Sequence, residues 1–255
     1  MAEGMILNAA FFFSLAAAAA GAAAYVFRRP QFARAAPPAL ALSWLALSAG
    51  LLLLWLRLGR PHLSNQYQSL LTMLWLLFPL AFYFYRRSGR PEALPAAALA
   101  ACVLFGAAAL LDKTARPLMP ALRSDWLILH VLSSMAAYAA FALAAAAAAR
   151  ALLKKQAELF EDLLARLART GFAFLTLGII TGSVWANTAW GAWWSWDPKE
   201  TWSLLTWLGY AAALHLRKKG WRGHRFALLL LACFALVVFT YFGVNFLLRG
   251  MHSYA

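Results

Sequence analysis

Polar residues in this chain are confined to short intervals, and between them run long apolar stretches at 6–27, 38–56, 68–85, 93–111, 126–149, 170–187, 201–216 and 226–248. Each is close to the ~20 residues an α-helix needs to cross the hydrocarbon core of a bilayer. Pro30, Pro37, Pro38, Pro61, Pro91, Pro117, Pro120 and Pro198 lie in or beside the connectors, where a missing N–H does least harm to a helix. The pattern predicts an all-α polytopic membrane helix bundle of about eight transmembrane helices, with residues 1–255 forming a single integral membrane domain.

Composition agrees. Of the 255 residues, 64% are hydrophobic and 13% charged, against about 25% charged in soluble domains. The net charge of +14 is read as loop bias and not as a nucleic-acid surface, because no basic run interleaves with a folded polar face. Sixteen of the 23 Lys and Arg residues fall in one alternate set of loops and seven in the other. The richer set is expected in the cytoplasm, which places both termini and the 185–200 segment outside. The first apolar stretch follows Glu3 with no basic flank, so it reads as a true span and not as a signal peptide. Residues 150–169, the longest cytoplasmic connector, carry Leu152, Leu153, Leu159, Phe160, Leu163, Leu164 and Leu167 at near-helical spacing. They read as an amphipathic helix at the membrane surface, serving either as a partner dock or, more plainly, as a solvated helix hairpin. The alanine runs at 16–20 and 144–149 suit close helix approach. Cys102 and Cys233 form no C-x-x-C motif and read as buried small hydrophobes.

Chemistry concentrates in residues 190–202, where Trp190, Trp193, Trp194, Trp196 and Trp202 place five tryptophans in thirteen residues around Asp197. Interfacial anchoring accounts for isolated residues such as Trp44, Trp126 or Trp221, but not for this density. Flat indoles with few polar tips suit a large planar amphiphile, and haem is the natural candidate. Asp197 has the character of a metal or proton residue. It also opens Asp-Pro-Lys-Glu, in which Asp197 would be an N-cap, Pro198 the first helical residue and Glu200 the capping-box partner. His130 lies one turn into the fifth span and His252 just beyond the last, both on the outer side with the tryptophans. Two imidazoles can bind one haem iron axially. His215 ends the seventh span on the cytoplasmic side, where it either snorkels to water or ligates a haem within the bilayer. His62 is a loop residue that either assists or is solvated, and His224 reads as a surface residue. Lys199, Arg249, Arg123 and Arg116 are outer cations able to pair haem propionates.

The stretch Trp-Gly-Ala-Trp-Trp-Ser-Trp-Asp-Pro-Lys-Glu-Thr-Trp-Ser-Leu-Leu-Thr-Trp from Trp190, with Tyr210 and His215-Leu216-Arg217 after it, closely resembles the CcsA/ResC family of System II cytochrome c biogenesis. This family belongs to the haem-handling superfamily defined by the WWD motif. Tyr241-Phe242-Gly243-Val244-Asn245, His252-Ser253-Tyr254 and Leu63-Ser64-Asn65-Gln66-Tyr67-Gln68-Ser69-Leu70 are similar too, so the likeness covers most of the chain from about residue 60.

The resemblance implies that His130 and His252 ligate an external haem b flanking the WWD segment, lined by Trp190, Trp193, Trp194, Trp196, Asp197 and Trp202. It implies that His215 ligates a haem inside the membrane, with the second ligand on a CcsB/ResB-type membrane partner, a half this chain lacks. The chain is also short for the family before its first span. The implied activity is haem export and cytochrome c synthesis in a bacterial cytoplasmic membrane, the WWD segment facing the periplasm and the chain acting as catalytic subunit of a holocytochrome c synthase. Thiols of an apocytochrome c Cys-x-x-Cys-His motif, kept reduced by thiol-reducing proteins, would add to the haem vinyl groups, and the apocytochrome histidine would displace one outer imidazole. No catalytic residue is assigned beyond those positioning haem. Three other readings compete: a haem-delivery relay of the CcmC type, a secondary transporter for another planar solute, and a scaffold anchored by its tryptophans. A transporter would be expected to show internal repeats and broken mid-membrane helices, and the sequence has neither a repeat nor a charged residue deep within a span.

Overall fold

In a computed structural model, every apolar stretch becomes helix, because in lipid a helix satisfies its own backbone N–H and C=O groups. The structure describes residues 2–61, 63–89, 93–114, 117, 119–248 and 250–252. Among them there are helices, turns and bends but no strand. The chain divides into two compact units, Met1–Ala115 and Arg116–Ala255.

The first unit holds α1 (Ala2–Val26), α2 (Ala36–Leu58), α3 (Gln66–Ser88) and α4 (Ala93–Ala109). Without a hydrophobic driving force between helices in lipid, small residues and interhelical hydrogen bonds must join them. Ser43 of α2 donates to the Ala10 carbonyl at 2.7 Å, and its hydroxyl lies 2.8 Å from that of Ser14, joining α1 to α2. Trp75 of α3 donates to Ser48, while Trp44 donates to the Trp75 carbonyl and lies nearly parallel to the Trp75 ring. α3 begins at Asn65, whose side chain accepts from the Gln68 N–H, and ends at left-handed Gly89.

The second unit holds α5 (Asp125–Leu153), α6 (Ala157–Trp190), α7 (Pro198–Lys218) and α8 (Gly223–Val238). A π-helical turn at Phe239–Gly243 and the short α9 (Val244–Leu247) then continue α8. α5 and α6 form a long hairpin, close-packed because α6 presents glycines to α5. A Cβ at Gly171 would strike the Phe141 ring, one at Gly178 would lie 2.6 Å from Ser134 Oγ, and one at Gly182 would lie 2.5 Å from His130 Nδ1.

Among the described residues, six helices are long and apolar enough to cross a membrane: Glu3–Val26, Gln31–Leu58, Gln66–Ser88, Asp125–Leu153, Ala157–Trp190 and Gly223–Leu247. Leu94–Ala109 is apolar but shorter. α7 is long enough, at 21 residues, but more polar, with Lys199, Glu200, Thr206, His215, Arg217 and Lys218. The protein is thus a polytopic helical bundle with six to eight spans.

The connector at 150–169 forms a helix hairpin: the end of α5, a turn at Lys154–Gln156, and the first part of α6, which runs unbroken into the following span. Phe160, Leu163, Leu164 and Leu167 are buried within the protein, while Leu153 and Leu159 are exposed. Its acids hold the next connector. Glu161 accepts from the Gly223 N–H at 3.1 Å and pairs with Arg217 at 3.1 Å. Both cysteines are free, Cys233 buried and Cys102 partly so.

The glycine face of α6 gives a stability test. Gly178→Leu should lower the stability of the detergent-purified protein by about 1–3 kcal/mol, because its Cβ would also meet Ser134 backbone at 3.3 Å. Gly106→Ala, where a Cβ meets nothing within 4 Å, should leave the melting temperature unchanged or slightly higher. Equal melting temperatures for wild type and Gly178→Leu would refute close packing at this face.

Candidate functional site

The start of α7 organises one end of the second unit. Asp197 is its N-cap, followed by Pro198, and Glu200 completes a capping box. Glu200 Oε2 accepts from the Asp197 N–H at 3.1 Å and from the Ser195 N–H at 2.8 Å. Asp197 does more than cap. Its Oδ1 accepts from the Lys199 N–H at 2.9 Å and from His252 Nδ1 at 2.7 Å, and its Oδ2 accepts from the Met251 N–H at 2.6 Å. Gly250 makes this approach possible, since a Cβ there would collide with the Asp197 carboxylate. The carboxylate thereby fastens the C-terminal residues to α7. Burial alone would raise its pKa, but the hydrogen bond and charge of His252, with the N–H groups of Lys199 and Met251, hold it below the ordinary value.

His130 is fixed by different means. Its Nδ1 lies 2.7 Å from the Gly178 carbonyl, an atom that can only accept, so Nδ1 carries the proton. The same logic at Asp197 protonates Nδ1 of His252. Nε2 is therefore the nitrogen whose lone pair is free whenever the ring is neutral, and among the described residues no hydrogen bond engages either Nε2. A metal-binding histidine is oriented in this way, its second nitrogen donating to a carbonyl or carboxylate.

The two imidazoles share one neighbour, Trp185, which is 1% exposed. Its ring centroid lies 6.0 Å from that of His130 at 13°, and 5.7 Å from that of His252 at 61°. The indole N–H donates to the Ala121 carbonyl at 2.8 Å. Trp190 closes the group, 4.7 Å from Trp185 and 5.0 Å from His252, both edge-on. Leu122 and Leu127 pack beneath Trp185. His130, His252, Trp190 and Asp197 are therefore brought together, and this end of the second unit carries two oriented imidazoles on an aromatic floor.

The other tryptophans point elsewhere. Trp193 and Trp196 are 57% and 68% exposed. Trp196 adopts a left-handed φ of 58°, uncommon for a bulky residue and a mark of a constrained turn. Trp194 lies edge-on to Trp196 at 5.8 Å. Trp202 packs on Phe239 of the π turn at 4.1 Å and takes no part in the histidine pair. His215 is exposed at the far end of α7, eighteen residues beyond Asp197 and so about 27 Å away along the helix. His224 and Arg123 are exposed. His62, Arg116, Arg249, Ser253 and Tyr254 lie outside the described residues.

Among the described residues no three His, Cys, Asp or Glu side chains gather as a protein-only metal site. Two imidazoles without further protein ligands suit a metal that arrives with ligands of its own, as a haem iron does. Trp185, Gly178, Gly182 and Asn245 belong to this end of the molecule and were not singled out as site residues by sequence reasoning. Their signal was present: Gly178, Gly182 and Trp185 stand at i, i+4 and i+7, one face of a helix.

The Asp197 attachment has a defined pH dependence. Because its folded pKa lies below the unfolded one, its contribution is complete above the ordinary carboxylate range near pH ~4 and is lost as pH falls through the lower folded value. Hydrogen exchange at the Met251 amide, corrected for intrinsic rates, should show protection that this carboxylate leaves unchanged from pH 8 to 5. Asp197→Ala should lower that protection about tenfold or more. A Met251 amide unprotected at pH 7 in the wild type would contradict the attachment.

The sequence pattern of the family described as Cytochrome C assembly protein matches residues 63–252. Cytochrome c biogenesis protein CcsA of Prochlorococcus marinus (strain MIT 9303) is 37% identical over 262 residues, covering 84% of this chain and 82% of its own length. CcsA of Synechococcus sp. (strain RCC307) is 38% identical over 253 residues, covering 82% and 81%. The solved structure titled Cytochrome c Heme Lyase CcmF shares the fold at a TM-score of 0.71 and 20% identity, over 98% of this chain and 47% of that one. With the tryptophan motif, the helices from α3 onward and the Asp197–His252 attachment inside the matched region, the chain belongs to the cytochrome c assembly family, alongside the CcsA proteins.

Proposed function

We propose that this chain acts in cytochrome c biogenesis by holding haem at the outer end of the α5–α8 unit and presenting it for attachment to apocytochrome c. One observation carries the proposal: His130 and His252, 122 positions apart, each commit Nδ1 to a fixed acceptor and meet at the same buried indole, Trp185. Haem is the substrate of this site. Its iron offers two axial positions and its vinyl groups are the atoms that react.

The chain's residues position the substrate. The Gly178 carbonyl and the Asp197 carboxylate hold the imidazoles in the tautomer that leaves Nε2 available. Trp190 forms part of the wall, and the outward indoles of Trp193 and Trp196 give an apolar platform at the mouth. Trp194 braces Trp196, and Trp202 seats α7 on the π turn. A Cys-x-x-Cys-His segment docking here would bring its two thiols to the vinyl groups. Each thiol adds across a vinyl double bond, sulfur to one carbon and hydrogen to the other, so no oxidant or reductant is consumed. The segment's histidine then takes the place of one outer imidazole, releasing the product. The substrate supplies the nucleophile, and the rate gain comes from fixed proximity.

His215, exposed near the opposite end of α7, suits an inner haem position shared with a CcsB/ResB-type membrane partner that contributes the second ligand. The loop charges support a bacterial cytoplasmic membrane setting with the tryptophan segment on the periplasmic face. Haem b is the form expected, since its vinyl groups are unmodified.

Maturation of a reporter c-type cytochrome tests the proposal, in a bacterial strain lacking its own assembly system and supplied with this chain and a CcsB/ResB partner. His130→Ala and His252→Ala should each cut covalently haem-stained reporter by at least about tenfold, with the membrane level of the protein unchanged. Reporter at wild-type level in both variants would refute the site. Haem bound in the wild type without any thioether product would favour a delivery relay.

A further inference from the structure

Lys199 stands in the first turn of α7, two residues after the carboxylate that holds His252. Its side chain is partly buried, and its ammonium donates to Asn245 Oδ1 of α9 at 2.8 Å. An ammonium has three donors and no acceptor, and a neutral amide satisfies only one of them. Among the described residues Lys199 makes no ion pair. The two nearest acids in sequence are already committed. Asp197 accepts from Lys199 N, His252 Nδ1 and Met251 N. Glu200 accepts from the N–H groups of Ser195 and Asp197 and from the Ser195 hydroxyl. The charge of Asp197 acts on the ammonium, but that carboxylate is committed to other donors, so the ammonium's hydrogen bond is to a neutral amide, and an anion that completes its donors removes much of the cost of drawing it out of water.

Asn245 is equally particular. It follows the π-helical turn Phe239–Gly243, a distortion that re-aims the helix after it and is frequent at functional sites. With its Oδ1 accepting from the ammonium, its amide N–H groups remain as donors. One positive charge beside one primary amide matches one carboxylate: the ammonium balances its single charge, and two kinds of N–H donor can reach its oxygens.

We propose that Lys199 and Asn245 form an anion subsite that binds one carboxylate of the ligand held by His130 and His252, namely a propionate of haem. The inference rests on the haem reading above and deepens it. It selects Lys199 from the outer cations and adds a partner, Asn245, that had no role. The imidazoles hold the iron, and the subsite fixes the rotation of the ring about the axis through them. That rotation decides which edge carries its vinyl groups toward the incoming thiols.

The test uses the full-length chain in detergent, titrated through the Soret band with haem and with haem dimethyl ester, in which both propionates are uncharged. Wild type should bind haem about tenfold or more tighter than the ester. Lys199→Met should bind both alike, near the ester affinity of the wild type, with the bis-histidine spectrum retained. Lys199→Arg, which keeps the charge, should keep part of the preference. Should Lys199→Met not fold, Asn245→Leu serves in its place and should reduce the preference several-fold. Equal wild-type affinities for haem and ester would overturn the subsite while leaving the haem site standing, as would a preference surviving in Lys199→Met or Asn245→Leu. Binding of neither compound by the wild type would overturn the haem site itself.

Discussion

The second unit depends on a single carboxylate. Asp197 caps α7, accepts the Nδ1 proton of His252 and receives the Met251 amide. Helix start, C-terminal residues and candidate ligand are thereby joined at one point. Each accepted bond is charge-assisted, and such bonds are about twice as strong as neutral ones. The side chain is nearly excluded from water, at 2% exposure, so a lost partner would not be replaced by solvent. The geometry of His252 is set by the same atoms that begin the helix carrying the tryptophan segment into the bundle, and one cannot shift without the other.

His130 reaches an equivalent state through packing. Glycines on α6 let α5 approach until the imidazole occupies the space a Cβ at Gly182 would take and meets the carbonyl of Gly178. Where His252 has a carboxylate, His130 has a backbone dipole, so the two rings differ in the charge behind them. A carboxylate behind an imidazole raises its basicity as a ligand more than a carbonyl does. In the proposed site His130 would accordingly be the weaker ligand and the one more readily displaced. Trp185 sits against both rings, its indole N–H anchored to Ala121, and holds their separation.

Much of this was legible in the sequence, for local reasons. All eight apolar stretches became helices, because length and apolarity decide that in lipid without help from tertiary contacts. The Asp197 cap was legible because it is written in four consecutive residues. The pairing of Asp197 with His252 was not, since 55 positions separate them and a residue with a sufficient local role gives no hint of a distant one. The five tryptophans looked like one wall, yet Trp190 faces the histidines while Trp193 and Trp196 face outward and Trp202 turns to Phe239. Side-chain direction there follows from the left-handed backbone at Trp196 and the turn before Pro198, which composition does not encode. In the 150–169 connector the near-helical spacing does not say which apolar residues pack inward: Phe160, Leu163, Leu164 and Leu167 do, while Leu153 and Leu159 stay exposed.

The central claim is that His130 and His252 ligate one haem through Nε2. Its most direct test is the visible and electron paramagnetic resonance spectrum of the haem-loaded protein in a His215→Ala background, so that only the outer position is read. The account predicts a low-spin bis-imidazole signal. His130→Ala and His252→Ala should each convert it to a high-spin form, and added imidazole should restore the low-spin signal. An unchanged low-spin spectrum in both variants would contradict it.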